Sequence, residues 1–305
     1  MATMTEIPAE VSTQIPTEHD YHAEAHVLRG HLRRPIEQNI EPQVPIVLRD
    51  RRGGHLTRFN EEVSIEGLIT YAKGKTRVSG SRSLKHNGWV TLSTSIMEGM
   101  NVFEILTADR VVSQVSTDHP YVDGHIPRVT FLGTQFTNLS LSGFPITLNL
   151  NLGICGPKPA NDRSYLQDAN FLNAVKTQTS NIMNAKGLPN DLKARYAERL
   201  ANVERLLGAV NSAEPRRDEP SVICSLVESI NPIPIPGVTS FGNVLVVPEF
   251  GTVSFAEVTV GERMYPDSTR PDVYFELTGV TMDLGCVGHG SASAATAAAN
   301  GHTRP

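Results

Sequence analysis

The sequence predicts a mainly β (α+β) protein, an antiparallel β sandwich or barrel-like domain carrying an inserted αα-hairpin. Three observations carry that expectation. From Tyr21 to about Leu152, apolar and polar residues alternate in short runs such as VSIEGLIT, WVTLSTSI, RVVSQVST and TNLSLSG, with Gly, Pro or Asn between them. Between Ser164 and Asn211 the apolar spacing becomes helical. Period two then returns in NVLVVPEF, TVSFAEVTVG and DVYFELTGVTMDL, so the last strands should rejoin the sheets begun near Tyr21 and leave the helices, about 160–215, as an insertion.

Each segment follows from its residues. The first eighteen, MATMTEIPAEVSTQIPTE, have no basic start, apolar stretch or small-residue cleavage site, and read as a disordered tail, residues 1–18. A cytoplasmic location is expected from this, with leaderless export as the alternative. A single β-rich domain is expected over 19–287. Its first helix is marked by Leu166, Ala169, Leu172 and Val175, and its second by Leu192, Tyr196, Leu200, Val203, Leu207 and Val210. AKGLPN between them supplies a Gly stop and a Pro restart, with Asn190 as the expected N-cap before Asp191. AEPRRDEP, polar and twice broken by Pro, is a loop. The closing GHGSASAATAAANGHTRP offers nothing large to bury, so 288–305 is expected to be a disordered tail.

Composition narrows the function. A chain of 305 residues that is 39% hydrophobic can bury a substantial core. Lys+Arg 27 against Asp+Glu 32 gives a formal net charge of −5, so no global basic field draws it to nucleic acid or an anionic membrane. No run approaches the roughly 18 apolar residues of a membrane-spanning helix. Cys155, Cys224 and Cys286 stand far apart with no C-x-x-C pair, which fits a reducing compartment better than a disulfide framework.

The local signals with chemical content begin at HDYHAEAHVLRGH. If Tyr21–Leu28 is a strand, Tyr21, Ala23, Ala25 and Val27 share the core face while His22, Glu24 and His26 share the other. A His/Glu set of this kind suits zinc or iron, given further ligands from His55, His86, His119, His125 or His289. The solvated face of an ordinary strand explains the same residues, so no cofactor is expected and zinc or iron is the alternative. The Asp118–His125 segment, DHPYVDGH, reads as a turn. Arg29, Arg33, Arg34, Arg51 and Arg52, with Arg49 and Arg58, could form a basic patch for phosphate or carboxylate groups, although a solvated hairpin accounts for them better. No aromatic residues are interleaved with them, as single-strand nucleic-acid binding would require. No nucleotide-binding glycine loop, nucleophile elbow or H-E-x-x-H occurs, so no catalytic or cofactor-binding residue is nominated.

Several motifs resemble those of the choice-of-anchor P family of bacterial surface proteins, and of uncharacterised bacterial proteins with TADRVV and FLGT runs. The shared elements are Thr107–Asp109 before a strand, F-x-x-L-x-x-x-G-x-P from Phe136 to Pro145, and Gly251–Val253 before the penultimate strand. The resemblance covers about half the chain in short motifs and implies a bacterial, antiparallel β module with no active site to carry over. The chain departs from that family in its helical hairpin. The expected function is therefore a non-enzymatic β-rich structural or interaction protein that self-assembles as a homo-oligomer. The alternative is a metal-dependent or small-molecule-processing enzyme on a β scaffold that uses the His-rich strand.

Overall fold

The computed structural model describes residues 19–34, 37–83, 87–121, 125–210, 219–264, 271–285 and 289–303. In chain order the strands are β1 (His19–Leu32), β2 (Gln38–Gln43), β3 (Ile46–Asp50), β4 (Gly54–Ile65), β5 (Ile69–Ser83), β6 (Gly88–Val102), β7 (Leu106–Pro120), β8 (Arg128–Thr130), β9 (Gln135–Thr137), β10 (Ser140–Leu141), β11 (Phe144–Pro145) and β12 (Leu148–Leu150). The helices α1 (Ala169–Met183) and α2 (Asn190–Ala209) follow. Then come β13 (Ser221–Ser225), β14 (Val227–Ile230), β15 (Thr239–Phe241), β16 (Val244–Val247), β17 (Gly251–Arg263), β18 (Asp272–Leu284) and β19 (Gly290–Thr303).

These strands build two antiparallel sheets and one small β12–β14 pair. The first sheet runs β15-β16-β17-β18-β19-β1-β2, with β13 also on β17 and β3 also on β1. The second runs β11-β10-β7-β6-β5-β4, with β8 and β9 on β7. Both sheets are open, so the architecture is a sandwich and the barrel-like alternative falls away. Their inner faces share one main core, in which Tyr165 meets Phe275 edge-to-face at 5.2 Å and Phe136 meets Phe255 at 6.1 Å.

The alternation that betrays these strands has a discontinuity. In β1 the buried positions are His19, Tyr21, Ala23, Ala25 and Val27, and then Leu28 and Leu32, so the buried set passes from odd to even residues at Val27 and Leu28. The same change falls at Ala294 and Ala295 in β19, at Gly279 and Val280 in β18, and at Phe255 and Ala256 in β17. Leu28, Ala294, Val280 and Phe255 are direct neighbours across the four strands, so one line of irregularity crosses the sheet. Ala256 and Ala295 adopt φ 47° and 54° there, a left-handed backbone that a bulky β-branched residue would tolerate poorly. On this line Gly279 has Ser113 Oγ and Val111 Cγ1 of the opposite sheet within 3 Å of where a side chain would begin.

The segment expected to be a C-terminal tail is the main correction to the sequence reading. It forms β19, the strand that joins β18 to β1, and the domain therefore continues past 287 to Thr303. Ala292, Ala294, Ala295, Ala297 and Ala299 are buried, and Cα atoms of β19 come within 8 Å of β6 and β7, closer than the roughly 10 Å between ordinary stacked sheets. Small residues were read as a lack of core material, whereas here they set how closely the sheets approach. The N-terminal segment 1–18 lies outside the described residues.

The helical insertion is present as an antiparallel hairpin. Asp168 caps α1, its carboxylate accepting from Asn170 N at 2.9 Å. Asn190 is the first residue of α2 rather than its N-cap, which is Pro189, a shift of one position at a helix boundary. Several polar contacts tie the hairpin to the first sheet, among them Arg195 with Asp283 of β18 at 2.7 Å and Asn202 Nδ2 donating to the Ser221 carbonyl at 2.7 Å. The Gln178 amide pairs with both backbone groups of Ser225, and Arg199 meets Glu257 of β17 at 2.9 Å in a largely buried ion pair.

Replacing Ala297 by Leu should lower stability by about 1–3 kcal/mol, since the extra volume has no space between the sheets. Urea unfolding of Ala297→Leu checks this, because an unchanged midpoint is what a solvated tail would give.

Candidate functional site

β1 places His22, Glu24 and His26 on its outward face, as alternation requires, and two of the three lie in a shallow groove. His22 and Glu24 line it together with Arg263 of β17, Tyr274 and Glu276 of β18, and Asn300 of β19. His22 Nε2 lies 3.3 Å from Arg49 Nε, and the same nitrogen stands 3.9 Å from Glu24 Oε2. Contact with His22 holds the Glu24 carboxyl below its usual range, helped by the charges of Arg49 and Arg263. Across the groove, burial and the nearby Glu24 charge push Glu276 up. His26 lies outside this groove. Its ring is mostly buried, and its titration is lowered by desolvation and then by Arg29.

Among the described residues no group of three or more His, Cys, Asp or Glu side chains is placed to hold a metal ion. The distant ligands that the His-rich strand would need are elsewhere. His55 contacts Thr57 on β4, His119 is buried against His19, His125 pairs with Asp162, and the His289 carbonyl accepts from the backbone of Arg33 and Arg34. His86 lies outside the described residues.

The arginines do not form one patch. Arg51 is bound to Asp20 at the start of β1, through Nε at 3.1 Å, with Arg52 next to it in the β3–β4 turn. Arg33 and Arg34 follow the other end of β1, and Arg29 lies close to that end. At about 3.3 Å per residue the two groups are separated by roughly 30 to 45 Å, so no single phosphate or carboxylate could bridge them. The sequence brought them near only because β1 and β3 are antiparallel neighbours joined through β2.

The polar arrangement with the most developed geometry was half visible in the sequence. His125, at the end of the DHPYVDGH segment, meets Asp162 through Nδ1 and Oδ2 at 2.5 Å. The other oxygen of Asp162 accepts from the backbone of His125 at 2.8 Å and of Ile126 at 3.0 Å. Asn161 and Asp162 reach this position through consecutive left-handed conformations, φ 58° and 54°, which Asn and Asp tolerate better than other side chains. The pair borders a cleft of about 400 Å³ with Ile126, Arg163, Ser164, Gln167 and Pro271. Facing a carboxylate, which can only accept, His125 Nδ1 is the donor of this contact. The hydroxyl on the cleft wall is not poised for attack, because Ser164 is buried with its Oγ accepting from Leu166 N. What the carboxylate does in this geometry is clamp the segment after β7 to the turn before α1. His125 had a sequence signal; Asp162 had none, because its partners are more than thirty residues away.

A second histidine pair is buried at the same end of the sandwich. His19 stacks on Trp89 with ring centroids 5.0 Å apart and lies 4.7 Å from His119. Burial holds His119 well below its usual value, reinforced by His19, Lys158 and His125.

Together these features define a β-sandwich domain with a helical insertion. The chain belongs to the family described as Domain of unknown function (DUF8256), whose model matches residues 19–261. No curated protein and no solved structure matches it. The matched region ends within β17, yet the sheet continues through β18 and β19 before returning to β1.

Two outcomes follow. His119 and His26 titrate below their unfolded value of 6.5, so the native protein resists protons that the unfolded chain accepts. Stability should therefore be fully present above pH 6.5 and fall as pH drops below it, with a slope of up to about 1.4 kcal/mol per pH unit for each proton. His119→Asn should flatten that dependence in urea titrations between pH 7 and 5. Asp162→Ala leaves two backbone N–H groups without their carboxylate and should cost about 2–3 kcal/mol, measured by thermal unfolding.

Proposed function

We propose that the protein is a non-enzymatic interaction module that self-associates through the edge of β4. One contrast supports this reading. The other strands at sheet margins are short: β2 has six residues, β3 five, β15 three and β11 two. Such brevity is how β proteins protect their edges. β4 has twelve residues, pairs only with β5, and contains no buried position. Leu56 and Phe59 are exposed on it, Phe59 at 67%.

The partner that fits this edge is a second copy of the chain. Antiparallel pairing about a two-fold axis through Asn60 sets Arg58 of each copy opposite Glu62 of the other, giving two opposite-charge pairs. Two-folds through Arg58 or Glu61 instead place like charges face to face. The sequence of β4 thus supports one symmetric register over its neighbours.

The alternative enzyme reading has one supporting observation, the His125–Asp162 pair beside its cleft. Among the described residues no metal-holding group stands beside it and the Ser164 hydroxyl is buried, so that pair is better accounted for as a clamp.

Light scattering after size-exclusion chromatography should show a concentration-dependent dimer. Arg58→Glu and Glu62→Arg should each weaken it about tenfold, and the double exchange should restore it. A monomer at every concentration would remove the proposal.

A further inference from the structure

We propose that Cys155 and Cys224 form a redox-modification site, a dithiol that closes to an intramolecular disulfide at the base of the helical hairpin. The sequence places them on opposite sides of α1 and α2, and the fold brings them together. Leu150 of β12 pairs with Val227 of β14, and Asn151 N donates to Leu226 O at 2.6 Å. The following turn, closed by Gly156 N to Gly153 O at 2.8 Å, carries Cys155 back toward Cys224 of β13. Both thiols are free and buried in the same core cluster, and Cys224 stands near enough to Cys155 to act on its titration.

That neighbour, and then burial, push the Cys155 thiol well above its usual range. The closed protein therefore holds little thiolate, and reaction waits on opening of the 151–156 turn. The oxidant class is a low-molecular-weight disulfide. One cysteine thiolate attacks a sulfur of glutathione disulfide, forming a mixed disulfide as one glutathione thiolate leaves. The second cysteine gives its proton to solvent and attacks the protein-side sulfur, forming the Cys155–Cys224 bond and expelling the second glutathione. Two protein thiols are oxidised, and one glutathione disulfide is reduced to two thiols. The bond would close a loop of about 70 residues containing the whole hairpin, a ring large enough to restrict the unfolded chain substantially.

The test uses the full chain, fully reduced and then incubated with glutathione disulfide at pH 8 in sub-denaturing urea. Free thiols should fall from three to one, non-reducing peptide mapping should show a Cys155–Cys224 link, and Tm should rise by about 5 °C and revert with dithiothreitol. In Cys155→Ser and Cys224→Ser the remaining partner should instead retain a glutathione adduct. If either variant fails to fold, the wild-type map decides alone. Three persistent thiols, single glutathione adducts on the wild type, or a link to Cys286 would overturn the proposal.

Discussion

The close approach of the two sheets is the constraint on which the remaining structure depends. Where the middle of β1 and β19 faces β6, the gap is lined by Ala23, Ala25, Ala297 and hydroxyls, whereas His19, Tyr21 and Trp89 pack at one end of the same strands. Ser93 Oγ donates to Glu24 O at 2.7 Å and Ser95 Oγ to His26 O at 2.8 Å, so side chains of one sheet hydrogen-bond directly to the backbone of the other. Leaving such a buried carbonyl unmatched costs about 1–3 kcal/mol, so these contacts favour one lateral position of β1 over β6. Larger residues gather where the gap widens, beneath Tyr165, Phe136 and Phe275. The line at Val27, Ala295, Gly279 and Ala256 is where the buried set of residues changes in each of the four strands β1, β19, β18 and β17.

This geometry explains which parts of the fold were legible. Alternation exposed most of the long strands because a half-buried sheet imposes a period of two, and helical spacing exposed the hairpin because α1 and α2 bury Leu172, Val175, Tyr196 and Val203 along one side. β19 was not legible by the same rule. Burial of Ala and Ser leaves almost no hydrophobic contrast, and a strand chosen for thinness has the composition of a linker. Its role follows only from β18 and β1 standing on either side of it, which is a property of topology and not of the segment.

The site-level signals divide in a similar way. Sharing of a face by His22, Glu24 and His26 was correctly legible, since it depends on one strand alone. Whether further ligands join them depends on the paths of β4, β7 and the β18–β19 connection, and those paths carry His55, His119 and His289 to other places. Asp162 and the Cys155–Cys224 contact are of the same kind: each joins residues whose separation in sequence has no periodic signature. Local spacing can place a residue on a face, but long-range pairing decides what shares the site.

The edge of β4 brings both levels together. Charges on an exposed strand ordinarily discourage pairing, because a neighbouring chain must accommodate each of them. His55, Arg58, Glu61 and Glu62 exclude most partners in this way. The same residues do not exclude a second copy, provided its register sets each Arg58 against Glu62. A like-charged edge would have kept all copies apart, and an apolar one would have accepted any exposed strand. In the proposed dimer, mixed charge on the longest sheet margin among the described residues would discriminate between partners rather than simply repel them, because a second copy supplies the matching register.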